Sequence, residues 1–150
     1  MKNNIITIDG PAGSGKGRIA KYISKRLGYY HLDSGILYRR IAYLILKNNI
    51  EDSNKSKIAK FLSKYKNIPH KSHSVLRSEK ISKLSSKIAV YEIVREFVNN
   101  QQRKIVKNKI NKMGFVIDGR DIGSVVFKKA KIKLYIDVNP KIRAERRHKQ

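Results

Sequence analysis

Residues 6–23 of the chain read "ITIDGPAGSGKGRIAKYI". A short apolar run ends at Asp9, a glycine-rich segment follows, and apolar residues recur at helical spacing after Lys16. A strand, a glycine loop and a helix in this order, with G-x-x-x-x-G-K over residues 10–16, form the pattern of a phosphate-binding loop. Glycines let successive backbone N–H groups surround an anion, the helix adds its positive amino terminus, and Lys16 supplies a full charge. We therefore predict phosphate binding here.

The loop departs from its usual pattern at Gly17, a position where serine or threonine commonly meets magnesium. Arg18 follows, and a cation in the first turn of a helix is unfavourable by about 0.3–1 kcal/mol when exposed. Contact with a phosphate would offset this cost, and extension into solvent would reduce it. The sequence leaves both interpretations of Arg18 open.

Apolar runs alternate with helical patterns along the rest of the chain. After the first helix, which Gly28 ends, further helices are predicted at 36–48, 52–66 and 78–112, the last as one long or two abutting helices, and another begins at Pro140. Strands are predicted at 5–9, 29–33, 114–119 and 132–138, with a polar loop at 67–74. The alternation predicts an α/β fold with a parallel sheet covered on both faces, whose functional residues follow the carboxyl ends of strands.

Composition limits the classes of protein to consider. A chain of 150 residues with 40% apolar residues is long enough for one folded domain. The absence of cysteine excludes disulfides and thiolate metal sites, and no segment is apolar for long enough to be a signal peptide or a membrane span. We therefore expect a cytoplasmic protein without membrane contact.

The net charge is extreme, at +24 from 35 Lys plus Arg against 11 Asp plus Glu. Such a field attracts polyanions, so nucleic acid is one possible partner. The basic residues are spread over every segment instead of forming a stripe, which indicates a bias of composition on solvated surfaces. A dedicated nucleic-acid role is therefore not favoured.

A second cluster, "LDSGILYRR" at 32–40, follows the second predicted strand. A hydroxyl, an aromatic ring and a guanidinium come together after this strand, from Ser34, Tyr38 and Arg39. These groups suit the binding of a base, a ribose and a phosphate. An ordinary helix cap at Asp33 or Ser34 with solvated arginines explains the same residues equally well.

A third cluster, "FVIDGRDIGSVVF" at 115–127, begins with a buried strand that ends in Asp118. Phosphate-loop proteins hold a carboxylate for magnesium or its waters at this place. Arg120 and Asp121 add more charge than a plain turn requires, although a loop with a solvated ion pair would also contain them.

Together the segments "ITIDGPAGSGKG", "LDSGILYR" and "DGRDIGSVVF", followed by "IKLYIDV" and "ERRHKQ", resemble bacterial cytidylate kinases over essentially the whole chain. That family transfers a phosphate from ATP to CMP or dCMP. The resemblance implies a P-loop kinase whose single domain, 1–150, has a core at 1–39 and 113–150. It also implies a helical monophosphate-binding insertion at about 40–112 and a lid from about residue 141.

The resemblance also implies the roles of individual residues. Lys16, Asp118 and Arg120 would be catalytic, and the magnesium would be held through ATP and water near Asp118, without a direct protein ligand. The residues at ATP would be Gly10, Pro11, Ala12, Gly13, Ser14, Gly15, Lys16, Gly17 and Arg18, with Arg143, Arg146 and Arg147 in the lid. The residues at CMP would be Ser34, Tyr38, Arg39, Ser86, Arg95, Arg120 and Asp121. The expected partners are these small molecules alone, bound by a monomer.

The chain departs from the family in two ways. The segment between Arg39 and Ser86 is short and lacks a strand pattern, so a small sheet of the insertion is expected to be reduced or missing. The sequence ends at Gln150, whereas the family continues with an arginine–aspartate–arginine segment, an edge strand and a closing helix, so marginal stability and weak turnover are expected of residues 1–150. The alternatives are another small-molecule P-loop kinase, a basic P-loop module that binds RNA, and a truncated inactive product.

Overall fold

The computed structural model of the protein describes residues 4–109 and 112–143, which fall into two compact units. Unit 1 lies within residues 1–33 and 106–150, and unit 2 is Ser34–Ile105. The strands are β1 (Asn4–Asp9), β2 (Tyr30–Asp33), β3 (Gly114–Gly119) and β4 (Ile132–Tyr135). The helices are α1 (Lys16–Leu27), α2 (Ser34–Lys47), α3 (Lys55–Leu62), α4 (Glu79–Ile88) and α5 (Glu92–Asn108), with a 3₁₀ turn at Ser74–Arg77 and a π-helical segment at Ile122–Val126.

Unit 1 is built on a parallel sheet with the strand order β2-β3-β1-β4. The predicted alternation and the predicted strands at the first three positions are confirmed within one residue at each end. The prediction for 78–112 resolves into two helices, α4 and α5. The fourth strand ends at Tyr135 instead of residue 138, because its partner β1 ends at Asp9, which pairs with Tyr135.

Side chains alternate between the two faces of this sheet, as in any strand. Ile6, Ile8 and Val116 point to one face, where they pack with Ala20 of α1 in a buried cluster. Thr7 and Asp9 point to the opposite face, which the π-helical segment covers. The centre of the sheet is therefore buried on both sides, as the sequence predicted.

Strand β4 is less covered by the described residues than the centre of the sheet. Ile132 and Leu134 pair with Ile6 and Ile8, so they lie on the face of α1, yet they are 44% and 37% exposed. The physical reason is that α1 packs chiefly against β3 and β2, and not over the strand beside β1 at the other end of the sheet.

Unit 2 is helical, and none of its residues, all of which the structure describes, forms a strand. Helix α2 packs against α4, and the core includes Leu37, Ile41, Ile45, Ile58, Leu62, Leu76 and Ile88. The loop predicted at 67–74 is pinned by the buried guanidinium of Arg40. Its Nε donates to the carbonyl of Pro69 over 3.2 Å and its Nη2 to that of Lys71 over 3.0 Å. Unit 2 thus contains a tied loop and no small sheet.

Candidate active site

The glycine loop joins β1 to α1 at the carboxyl edge of the sheet. Gly13 and Gly15 have φ values of 77° and 88°, in the left-handed region that favours glycine. A Cβ at residue 10 would collide with the carbonyl oxygen of Ile136, so the backbone there passes directly against the end of β4. The loop therefore requires glycines for both conformation and space.

The loop has the properties of an anion cradle. Helix α1 has no side-chain cap, since Gly15 precedes it, and its first turn contains no acidic residue. No described side chain therefore competes with an external acceptor for the first amides of this helix. The hydroxyl of Ser14 is buried and has no hydrogen-bond partner among the described residues. A buried unpaired hydroxyl in such a loop fits a bound phosphate oxygen.

Lys16 lies at the amino terminus of α1 and its Nζ donates to the carbonyl of Pro11 over 3.3 Å. Partial burial lowers the pKa of Lys16, and the guanidinium of Arg120 acts in the same direction. Asp118, Asp33 and Asp9 act against this shift, Asp118 most strongly. The ammonium is therefore placed among charges of both signs, where an added phosphate would favour its charged form.

Asp118 is buried near the end of β3, directly opposite Asp33 of β2 in the sheet register. Its Oδ1 lies 2.7 Å from Nε2 of His31, and its Oδ2 lies 3.5 Å from the place that a Cβ on residue 17 would take. The part of the chain that the structure describes has no cluster of three or more His, Cys, Asp or Glu able to hold a metal ion by itself. Carboxylate oxygens beside a phosphate loop do fit a magnesium ion that arrives with a nucleotide.

The segment after β3 carries Arg120, which is exposed, and Asp121, which is half-buried. The carboxylate of Asp9 holds the two residues that follow Asp121. Its Oδ1 accepts the N–H of Ile122 and its Oδ2 accepts the N–H of Gly123, each over 2.8 Å. Two short bonds to one buried carboxylate hold the start of the π-helical segment against β1. Sequence reasoning missed this role of Asp9 and the contact of His31.

The beginning of the predicted lid lies against the glycine loop. A Cβ on residue 13 would lie 3.0 Å from the carbonyl oxygen of Arg143, whose Nε donates to the carbonyl of Val138 over 3.0 Å. Arg146 and Arg147 lie outside the described residues. Arg18 extends from the first turn of α1 and is exposed to solvent.

The residues predicted at CMP are divided between the units. Ser34 is the buried first residue of α2, and Tyr38 and Arg39 follow about one turn later, both half-buried. Ser86, on α4, is exposed and its Oγ donates to the carbonyl of Ser82 over 3.1 Å, and Arg95 is exposed on α5. These five belong to unit 2, whereas Arg120 and Asp121 belong to unit 1.

Comparison with known proteins gives consistent matches. A family model described as "Cytidylate kinase" matches residues 6–150. The cytidylate kinase of Fusobacterium nucleatum is 39% identical over 160 residues that cover 100% of this chain and 71% of that protein. The cytidylate kinase of Nitrosomonas europaea is 36% identical, over 97% of this chain and 68% of that protein. A bifunctional pantoate ligase/cytidylate kinase of Prochlorococcus marinus is 38% identical, over 95% of this chain and 30% of that protein. None of the described helices has the length and hydropathy that a membrane crossing requires.

Proposed function

Because the chain belongs to the cytidylate kinase family, a family of phosphotransferases, we propose that it phosphorylates CMP and dCMP to CDP and dCDP with ATP and magnesium. The observation that carries the proposal is the cradle of residues 10–16, with its unpaired buried Ser14 hydroxyl, beside Lys16 and Asp118. The absence of cysteine fits a reducing compartment, so we place the reaction in the cytoplasm. A net charge of +24 disfavours self-association, so we propose a monomer.

The proposed mechanism is in-line transfer of the γ-phosphoryl group of ATP to a phosphate oxygen of CMP. The amides of α1 and the Ser14 hydroxyl bind phosphate oxygens, and Lys16 neutralises the charge that develops on the transferred group. Arg120 would bind phosphate at the same edge of unit 1. No covalent intermediate and no general base are required, because catalysis depends on positioning two nucleotides and on charge stabilisation.

Magnesium, when bound, would supply positive charge that stabilises the charge developing on the transferred phosphoryl group. In this chain Asp118 would hold it through water with Oδ2, which lies on the side of Gly17. Arg18 at the start of α1, and Arg143 beside Gly13, are the proposed further contacts of ATP. Arg146 and Arg147 stay proposals from the resemblance alone.

Recognition of CMP is proposed for the residues already named from the sequence. Ser34, Tyr38 and Arg39 would contact the ribose and phosphate, and Ser86, Arg95 and Asp121 the cytosine. Cytosine offers an amino donor beside ring acceptors, so a carboxylate can accept from it and a guanidinium can donate to it. The monophosphate-binding insertion would then correspond to unit 2, Ser34–Ile105.

The direct test is transfer of radiolabelled phosphate from ATP to a panel of nucleoside monophosphates by the purified chain. We expect labelled CDP and dCDP from CMP and dCMP, and much less product from AMP, GMP or UMP. Equal labelling of all monophosphates, or AMP as the preferred acceptor, would contradict the proposal and favour another small-molecule P-loop kinase.

Substitution of Asp121 tests the assignment of cytosine recognition. Loss of a hydrogen bond that involves a charged group costs about 1.5–3 kcal/mol, so Asp121→Ala should raise KM for CMP by about 10-fold or more. KM for ATP should stay within about twofold, because Asp121 would not contact ATP. The matched control is Asp137→Ala, which removes an exposed carboxylate of the same unit. An equal rise in KM for CMP and for ATP would place Asp121 at the phosphates instead.

The net charge of +24 is the observation that favours a second candidate, a basic P-loop module that binds RNA. Affinity for RNA that falls steeply with salt and does not respond to CMP would support it. A chain that binds ATP but transfers no phosphate to any acceptor would support the inactive product.

A further inference from the structure

The buried carboxylate of Asp118 has a direct partner that the proposed mechanism does not use. His31 of β2 lies 2.7 Å from it, Nε2 to Oδ1, although 87 residues separate the two along the chain. Asp118 is almost fully buried, whereas the side chain of His31 is 24% exposed. A buried carboxylate needs hydrogen-bond donors, and an ionised carboxylate can only accept, so Nε2 of His31 would donate to the ionised form.

The sheet explains why these two side chains meet. His31 pairs with Val116 in the parallel register, and Asp33 pairs with Asp118. Paired residues of neighbouring strands point to the same face, so His31, Val116 and Asp118 share the face on which α1 lies. Asp118 is the next residue of β3 on this face after Val116, the partner of His31. It lies at the edge of the sheet where the glycine loop begins.

The bond has a consequence for the second oxygen of the carboxylate. With Oδ1 held by His31, Oδ2 is directed towards α1, 3.5 Å from the place of a Cβ on residue 17. Residue 17 is the glycine that replaces the usual serine or threonine of the loop. The carboxylate therefore stands next to the space that a magnesium-binding hydroxyl would otherwise fill.

From this geometry, and on the basis of the proposed function, we propose that His31 is a positioning residue. It fixes the Asp118 carboxylate so that Oδ2, in the space beside Gly17, holds the magnesium of ATP through water. His31 itself contacts neither nucleotide nor metal. Its role resembles that of residues that form hydrogen bonds to metal ligands. Such residues orient the ligand and adjust its affinity for the metal.

The bond is tested without any ligand by NMR of the protein labelled with ¹⁵N-histidine. The chain has 4 histidines, and His31→Gln identifies the signals of His31 by their loss. We expect a neutral His31 to carry its proton on Nε2, and the Nε2 shift to move in Asp118→Asn. A proton on Nδ1, with shifts that Asp118→Asn leaves unchanged in a folded protein, would overturn the proposal.

The metal role is tested by ATP affinity with Mg²⁺ and with EDTA, measured by calorimetry. His31→Leu, which cannot donate, should reduce the gain in affinity that Mg²⁺ gives by on the order of 10-fold, as outer partners of metal sites do. His31→Gln, which can donate at similar reach, should restore most of this gain. The control His73→Leu changes an exposed histidine of unit 2 and should leave the gain unchanged.

Three outcomes separate the possibilities. Equal loss of affinity with Mg²⁺ and with EDTA in His31→Leu would show a merely structural role and overturn the proposal. A folded His31→Gln that behaves like His31→Leu would overturn it as well. Failure of the unsubstituted protein to bind ATP under either condition would contradict the proposed function, and with it the metal role, while the NMR result still decides the bond.

Discussion

Replacement of Lys16 by methionine should lower kcat for transfer from ATP to CMP by on the order of 100- to 1000-fold, the effect of removing one preorganised charge-stabilising group. Methionine keeps the length and most of the apolar contacts of the lysine stem, so the change removes the charge and little else. The ammonium should act mainly on the transition state, where charge develops on the transferred phosphoryl group. KM for ATP should therefore change by less than kcat.

The matched control is Lys21→Met, which makes the same change at an exposed position of α1. Both variants should melt within a few degrees of the unsubstituted protein. Single-turnover transfer of labelled phosphate is the appropriate measurement, because it follows the chemical step even when turnover is slow. Near-normal transfer by a folded Lys16→Met protein would show that Lys16 is not a catalytic residue.

Asp9→Ala should cause a large loss of stability in unit 1. The buried Asp9 carboxylate accepts two backbone N–H groups over 2.8 Å each, and hydrogen bonds to a charged group contribute about 1.5–3 kcal/mol apiece. Alanine would leave the amides of Ile122 and Gly123 buried without an acceptor. The loss is large beside the roughly 5–15 kcal/mol that stabilises a whole domain.

Urea unfolding, followed by circular dichroism, measures this loss. Asp137→Ala serves as the control, because it removes an exposed carboxylate that, among the described residues, accepts the neighbouring N–H of Val138. It should change stability by about 0.5 kcal/mol at most. Asp9→Asn should fall between the two, since its amide can accept one of the two bonds. Similar midpoints for Asp9→Ala and Asp137→Ala would show that the Asp9 bonds contribute little.

The sequence predicted the features that depend on local pattern. Strand, glycine loop and helix follow one another within residues 4–27, so periodicity and turn chemistry were sufficient to place Lys16. Asp118 was predicted because it ends an apolar run, and strand ends share one edge of a parallel sheet. The single parallel sheet itself followed from the alternation of elements.

The sequence could not predict the partners of those residues. His31 meets Asp118 only because β2 pairs with β3 in one particular register, and nothing local in "YYHLD" specifies that register. Asp9 was predicted only as the end of a strand, since its two acceptor bonds go to amides more than 100 residues away. The tie between Arg40 and the loop at Pro69 depends in the same way on tertiary contact.

Because strand β4 is exposed, the basic surface of the protein should help to prevent its aggregation. Among the described residues β4 is the sheet edge beside β1, and it presents Ile132, Leu134 and the 68% exposed Tyr135 to water. Such an edge is a template for strand pairing between copies, and flanking lysines are the gatekeepers that oppose it. Lys131 and Lys133 flank Ile132, and a chain charge of +24 repels each approaching copy. The protein should therefore resist aggregation best at low ionic strength. Salt screens the repulsion between copies, and the apolar edge of one copy could then pair with that of another.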